Sequence, residues 1–261
     1  KSAELFNRVD WHEHFQTLVG LRYDDITMKN PNATSLDTSI QMVSPYLSLF
    51  LKDWKGFNLE LGGRLNNHSR YGNTLTYSVN PSYLVNDQVK IFMNYGTAFR
   101  APALSELYGS FGANPDLKPE ESHTFEGGVQ YTSNDDKLDV RVVAFKRNTK
   151  NIIAYQNQQY TNYNRQQDQG IEIEPTINIT ERIQLKLFYT FVEGKVTTPA
   201  SNGDTSYNNL FKRPRHTFGV NLGYQVTPAF YVSTHFQNFG KRNDLYFEPV
   251  EPYGQWSVPL T

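Results

Sequence analysis

Cysteine is absent from the 261-residue chain, which excludes a disulfide framework and any thiolate metal site. No apolar run approaches the roughly 20 residues of a membrane-crossing helix, and no stretch carries a convincing helical period. Neither sign of charge dominates. Formal net charge is -1, and the Lys and Arg residues are scattered rather than striped, which argues against a nucleic-acid surface. The nucleophile-elbow, zinc-protease and phosphate-loop patterns are missing. His12, His14, His123, His216 and His235 show no metal-ligand spacing. No catalytic residue, cofactor or metal site is expected on these grounds. Mean hydropathy is -0.60, as in many soluble proteins. That value has no force against a transmembrane barrel, whose strands need apolar residues only at alternate positions.

Aromatic residues and alternation are what the chain has in quantity. Tyr and Phe number 17 each and Trp adds 3. Phe15, Thr17, Val19, Leu21 and Tyr23 alternate with His14, Gln16, Leu18, Gly20 and Arg22. Phe57, Leu59, Leu61, Gly63 and Leu65 alternate with Asn58, Glu60, Gly62, Arg64 and Asn66. The same period recurs from Leu75 to Tyr83, Val89 to Tyr95, Leu138 to Ala144, Ile171 to Ile179, Ile183 to Phe191, Phe218 to Tyr224 and Phe230 to Phe236. A period of two marks a strand with one apolar face. About twelve strands and the start of a thirteenth are predicted. Their connections alternate in length. Short ones fall at Asp10 to Glu13, Asp53 to Gly56, Val85 to Gln88, Ser133 to Lys137, Asn178 to Glu181 and Val226 to Pro228. Longer ones fall at Thr27 to Ile40, Asn66 to Gly72, Arg100 to Glu120, Asn157 to Asn162, Val196 to Asn209 and Leu245 to Trp256. Tight turns on one side and long loops on the other describe an up-and-down barrel.

A soluble β-sandwich would show the same alternation with its apolar face inside. Strand length separates the two. Sandwich strands run about five or six residues, whereas a membrane crossing takes about nine to eleven, and several strands here exceed ten. Aromatics at strand ends (Tyr23, Trp54, Phe57, Tyr83, Tyr131, Tyr224, Phe230) suit interfacial girdles, or alternatively an ordinary core. The expected fold is therefore all-β, an antiparallel up-and-down transmembrane β-barrel. Glu60, Arg64, Lys90, Asp139, Arg141, Glu172, Glu174 and Lys186 would line its interior. Pro81 and Pro175 interrupt strands and are expected to mark bulges or bends. The chain opens in mid-pattern and closes on Ser257 to Thr261 as a strand starts. The expectation is an incomplete barrel, with residues 1–261 forming part of one barrel domain.

The longest connection carries two tetrads, FRAP (Phe99 to Pro102) and NPDL (Asn114 to Leu117). Loops of that length are usually functional. FRAPALSELYG, then NPDLKPEES, then a strand start with Glu126, Gly127 and Gly128, resembles the TonB-dependent outer-membrane receptors, nearest to those for cobalamin and iron complexes. The resemblance implies a barrel of about 22 strands, of which this chain holds about twelve or thirteen. It also implies an N-terminal plug domain with an energy-coupling box, neither of which is in this chain. The implied activity is uptake of a scarce complex such as cobalamin or a ferric siderophore. The implied partners are that small-molecule metal complex, outer-membrane lipid, and the TonB complex acting through the plug, all at the bacterial outer membrane. Haem receptors of this family place a histidine between FRAP and NPDL; ALSELYGSFGA has none. A passive porin or structural barrel shares the alternation but leaves the tetrads unexplained. An outer-membrane hydrolase would need a Ser-His arrangement that no spacing favours.

Within the loop, Pro102 stiffens the strand exit, Pro115 and Pro119 favour turns, and Gly109 and Gly112 permit turns that other residues resist. The tetrads are expected to shape the loop rather than touch ligand. Tyr108 and Phe111 offer an apolar or stacking wall to a ligand, or pack against neighbouring loops. Arg70 and Tyr71, with His68 in NNHSRYG, could contact an anionic ligand or form a solvated turn. Arg70, Tyr71, Tyr108 and Phe111 are thus the candidate ligand-binding residues. Asp24 and Asp25 are too few to argue a Ca²⁺ site.

Overall fold

The computed structural model describes residues 1–29, 38–200, 203–207, 213–243 and 249–257. Its strands are β1 (Ser2–His12), β2 (Phe15–Met28), β3 (Thr38–Trp54), β4 (Phe57–His68), β5 (Gly72–Leu84), β6 (Val89–Arg100), β7 (Glu120–Thr132), β8 (Leu138–Gln156), β9 (Gln159–Thr180) and β10 (Ile183–Ala200). They continue with β11 (Gly203–Tyr207), β12 (His216–Thr227), β13 (Phe230–Phe239), β14 (Arg242–Asn243), β15 (Pro249–Val250) and β16 (Tyr253–Ser257). One helix, α1 (Leu104–Tyr108), lies between β6 and β7.

Chain order and spatial order coincide. One 14-stranded sheet runs β1 through β10, then β12, β13 and β16, with β11 paired to β10; β14 and β15 form a separate ribbon. Every neighbour is antiparallel, as tight turns require. The register keeps each face in line. Val19 pairs with Leu47, Leu47 with Gly63, and Gly63 with Tyr77, while Gly20, Tyr46, Arg64 and Thr76 form the adjacent row on the other face. The first row is the exposed apolar face, with Val19, Leu47, Leu75, Ile91, Phe125 and Ile171 on it. No second sheet covers it among the described residues. A sandwich would bury that face; this one fits lipid. The opposite face is polar and internally paired, as where Arg141 meets Glu174 at 3.0 Å and Arg22 meets Asp24 at 2.8 Å.

The prolines do not bulge the strands, contrary to expectation. Pro81 pairs with Leu59 on β4, and β5–β6 pairing merely skips from Val79–Tyr95 to Ser82–Phe92 without losing register. Pro175 pairs with Val140 on β8, and β9–β10 pairing skips from Tyr189–Ile173 to Lys186–Thr176. Pro45 on β3 behaves alike between Val43–Asn67 and Tyr46–Arg64. A missing N–H costs ladder bonds on one edge only, and the other edge holds the strand.

Two further expectations are corrected. The predicted long connection at Asn157 to Asn162 is a two-residue turn, with Asn157 and Gln158 both at positive φ (50° and 63°). That conformation matches the twist of a hairpin. β8 and β9 run on for 19 and 22 residues as a projecting arm. Their outer ends carry no sustained apolar alternation. The 101–119 connection, read as free of helical structure, holds α1. Connections predicted at Thr27 to Ile40, Val196 to Asn209 and Leu245 to Trp256 fall partly outside the described residues.

β5 and β6 part company at their outer ends. Their ladder stops at Ser78–Gly96, although β5 stays paired with β4 to Gly72 and β6 with β7 to Arg100. Thr97 Oγ1 substitutes for backbone there, accepting from Tyr77 N–H at 2.9 Å and donating to Tyr77 O at 3.3 Å. Thr97→Val keeps the shape and removes both bonds. The expected cost is about 1 kcal/mol, read as roughly fivefold faster hydrogen exchange at the Tyr77 amide.

Candidate functional site

Beyond the split, the 101–119 loop leaves β6 and packs over the polar side of the sheet at Ile40 and Met28. Arg100 ends the strand. Its Nε and Nη2 donate to the two carboxylate oxygens of Glu120 at 2.9 and 3.0 Å, directly opposite it in the ladder. Its Nη1 donates to Glu106 at 3.2 Å. Each carboxylate has a second task. Glu106 accepts from Ala103 N–H at 2.7 Å and so closes the start of α1. Glu120 accepts from Ile153 N–H at 2.7 Å and ties the loop base to β8. The FRAP arginine therefore joins both ends of the loop, the helix and the neighbouring arm. Buried Pro102 fixes the turn between them.

α1 is short, so packing rather than propensity holds it. Leu104 and Leu107 face inward with Leu117 of NPDL onto Ile40, and Met28, Tyr108, Ile153 and Tyr160 surround them. This cluster joins β2–β3 to the β8–β9 arm across the intervening strands. Gly109 ends the helix for want of space: a Cβ would lie 2.4 Å from Ser105 O, while its φ of -66° is ordinary. Gly112 does use its freedom, at φ +63°, and its carbonyl accepts from Tyr160 N–H at 2.7 Å.

NPDL is stapled to the arm. Asn114 Nδ2 donates to Tyr160 O at 2.9 Å. Asn162 Oδ1 accepts from Lys118 N–H at 2.8 Å, and its Nδ2 donates to Lys118 O at 3.0 Å and Asn151 O at 2.6 Å. From the other side comes the β4–β5 turn. Arg70 donates to Tyr108 Oη and to Pro115 O, with its guanidinium 5.6 Å from the Tyr108 ring and 5.6 Å from the Tyr71 ring. Tyr71 Oη donates to Leu117 O at 3.0 Å, and partial burial raises its pKa above the usual phenol value. His68 is buried beneath, its Nδ1 accepting from Arg70 N–H at 3.1 Å.

Three of the four candidate residues thus meet. Arg70, Tyr71 and Tyr108 form a clasp on the loop. Phe111 stands apart at its crest, 82% exposed. Asp24 is engaged with Arg22, and no group of three metal-ligating side chains occurs among the described residues. Two cavities meet at Ala98, Phe99 and Arg100, at the base of the loop. One, of about 460 Å³, includes Arg64, Asn66, His68 and Thr76. The other, of about 290 Å³, includes Glu120, Ser122, Arg147, Thr149, Gln166 and Arg213.

Two residues of the second cavity, Arg147 and Arg213, went unremarked in the sequence, and they share a carboxylate that lies outside its lining. Buried Asp168 accepts from Arg147 through Nε at 3.1 Å and through Nη2, and from Arg213 Nη1 at 2.8 Å. Burial, with the like charge of Arg147 alongside, lowers the Arg213 pKa. These residues come from β8, β9 and the approach to β12. No spacing in the sequence announces their meeting.

A family model described as "TonB dependent receptor-like, beta-barrel" matches residues 5–258. The vitamin B12 transporter BtuB of Photobacterium profundum is 26% identical over 152 residues, which cover 58% of this chain and 23% of that protein. A ferric enterobactin receptor mutant of Pseudomonas aeruginosa, solved in complex with enterobactin, aligns with a TM-score of 0.76 at 17% identity, over 98% of this chain and 45% of the receptor. The siderophore receptor PirA of Acinetobacter baumannii aligns with a TM-score of 0.75 at 15% identity, over 99% and 47%. The chain thus spans about half of the solved receptors and under a quarter of the curated relative. With one lipid-compatible antiparallel sheet and a family match over nearly its whole length, the chain belongs to the TonB-dependent receptor-like β-barrel family, whose members are receptors and transporters rather than enzymes.

Proposed function

We propose that this chain is the wall and mouth of an outer-membrane receptor that imports a scarce metal complex, cobalamin or a ferric siderophore. Import is energised by the TonB complex through a plug domain carried elsewhere in the whole receptor. The clasped loop carries the reading. It closes over the polar face of the sheet, is tied at both ends by Arg100, and leaves Phe111 outward, with two cavities at the loop's base. Phe111 would give an arriving ligand an apolar wall. Arg70, Tyr71 and Tyr108 would contact it at the clasp, where their bonds to the loop would also couple occupancy to loop position. The relatives named above support both ligand classes.

The test is a titration of the full-length receptor in detergent with cyanocobalamin and, in parallel, with ferric enterobactin. Saturable binding of either one, weakened about fivefold to thirtyfold by Phe111→Ala, is the expected result; an aromatic contact of about one to two kcal/mol corresponds to that range. Binding of neither, together with ion conductance through the intact protein, would overturn the reading in favour of a passive pore.

A further inference from the structure

The outer wall of the sheet changes character at one level of the register. On β8, β9 and β10, Ala144, Ile171 and Phe191 form one cross-strand row of the lipid-compatible face, and Lys146, Gln169 and Glu193 form the next row out. The step is two residues, about 7 Å along each strand. Asn148, Gln167 and Lys195 follow, then Lys150 and Arg165. Apolar surface thus gives way to basic surface on the same face of the same strands. Tyrosine–histidine pairs lie near this level. Tyr189 Oη is 2.8 Å from His216 Nδ1 with the rings stacked, and Tyr95 Oη is 3.1 Å from His123 Nδ1. Amphipathic rings of this kind suit the boundary between hydrocarbon and headgroups.

A recess of about 600 Å³ opens at the step, and Lys146, Gln167, Gln169, Glu193, Lys195 and Arg215 are among its lining. Its two carboxylates are both engaged. Glu193 accepts from Arg215 at 3.1 Å and from Gln169 Nε2 at 3.0 Å, and Asp168 is held by Arg147 and Arg213. Arg215, just before β12, also lies over the Phe191 ring at 5.7 Å, which keeps it beside the apolar row. Lys146 and Lys195 are exposed and form no ion pair among the described residues. Two like charges facing one recess repel each other unless an anion joins them.

Resting only on the outer-membrane part of the reading above, we infer that this step is a lipid site: Lys146, Lys195 and Arg215 receive the phosphate group of an outer-leaflet lipid whose acyl chains lie along Ile171, Tyr189 and Phe218. Adjacency selects the lipid. A soluble anion would use the cations alone, whereas Ile171, Tyr189 and Phe218 are exposed on the two rows directly below them. A phosphate offers several oxygens to donors that arrive from separate strands. Lys150 and Arg165 extend the basic surface outward, with Glu121 opposite Lys150 in the ladder as an acid there. Lys146 and Arg147 point to opposite faces by parity, so this site stands outside the wall and apart from the clasped loop.

The experiment uses full-length receptor in detergent, mixed with lipid A, a glycolipid with two phosphate groups, or with its dephosphorylated form, and reads bound lipid by native mass spectrometry. Wild type is expected to bind the phosphorylated form at least tenfold more tightly, with affinity falling as salt rises. Lys146→Gln and Lys195→Gln are each expected to weaken it about fivefold, and together about twenty-five-fold, as one cation near an anionic lipid surface is worth. Lys146→Arg with Lys195→Arg should keep the affinity and shows that the fold tolerates change there. Ferric enterobactin and cyanocobalamin titrations should be the same in all variants. Equal binding of both lipid forms, or unchanged binding in the double Gln variant, overturns the inference. Displacement of the lipid by inorganic phosphate at equal concentration overturns it too, by making the recess a site for free anions. Loss of chelate binding with lipid binding intact in the double Gln variant overturns it and gives the recess to the transported complex. A wild type that binds the phosphorylated lipid but neither chelate leaves this inference standing and sinks the transport reading alone.

Discussion

Arg100→Ala frees the mouth loop while the barrel stays folded. The substitution leaves Glu106 and Glu120 facing each other without the cation that joins them, and their side chains are only 15% and 18% exposed. Removing one partner of a fully buried ion pair costs about 3–5 kcal/mol. Arg100 is 45% exposed, so solvent screening reduces the expected loss to about 2 kcal/mol. The loss falls on the loop, because Arg100 binds the loop's two ends and its helix. Limited proteolysis of the full receptor should therefore cut within 101–119 at least tenfold faster than in wild type, with the thermal midpoint of the barrel unchanged. Arg100→Lys should restore little, since an ammonium cannot reproduce the two-pronged contact with Glu120. A fall in the barrel midpoint without loop cleavage would show that Arg100 supports the wall instead.

Leu107→Ala is expected to undo the same loop from its apolar side. Leu107 is the most deeply buried side chain of the cluster, 0% exposed, and it meets residues from β2, β3 and the β8–β9 arm. Truncating a buried leucine costs about 2–5 kcal/mol, with the cavity left behind setting the value. A short loop helix can collapse into the space, which places the expectation near 3 kcal/mol. The readout is hydrogen exchange. Protection of the Asn114 amide, bonded to Glu106 O, and of the Tyr160 amide, bonded to Gly112 O, should drop together by about a hundredfold or more. Leu107→Met, which conserves volume, should cost under about 1.5 kcal/mol. Independent loss of the two amides would mean that the loop is not one cooperative unit.

The two variants attack different parts of one assembly, and their sites share α1. Arg100 holds the Glu106 carboxylate that caps α1, and Leu107 is the next residue. Their effects should therefore be less than additive in the double variant, since once the helix is lost neither interaction remains to be broken.

Alternation by itself determined the strands, their faces and the side on which the turns are tight, because a side chain's face in a pleated strand depends only on odd or even position. The same parity put Val19, Leu47, Gly63 and Tyr77 on apolar faces, and the strand pairing then lined them up as one row. The two tetrads, read by type and order, were enough to suggest the family. Helix α1 was invisible because five residues hold too little of a period to count, and its stability comes from Ile40 and Tyr160, far away in sequence. The β8–β9 arm extends beyond its expected length because its outer residues lack the apolar alternation that marks a strand. Pro81 and Pro175 read as bulges or bends, yet each sits between two partner strands, one of which keeps it in register. Arg70 reaches Pro115 and Arg213 reaches Asp168 across 45 residues each. Such meetings are decided by which strand ends lie together at the rim, a matter of sheet order, stagger and curvature, and local sequence carries no term for them. Tertiary structure alone therefore turned scattered charges into a lock on the loop and a paired-arginine wall beneath it.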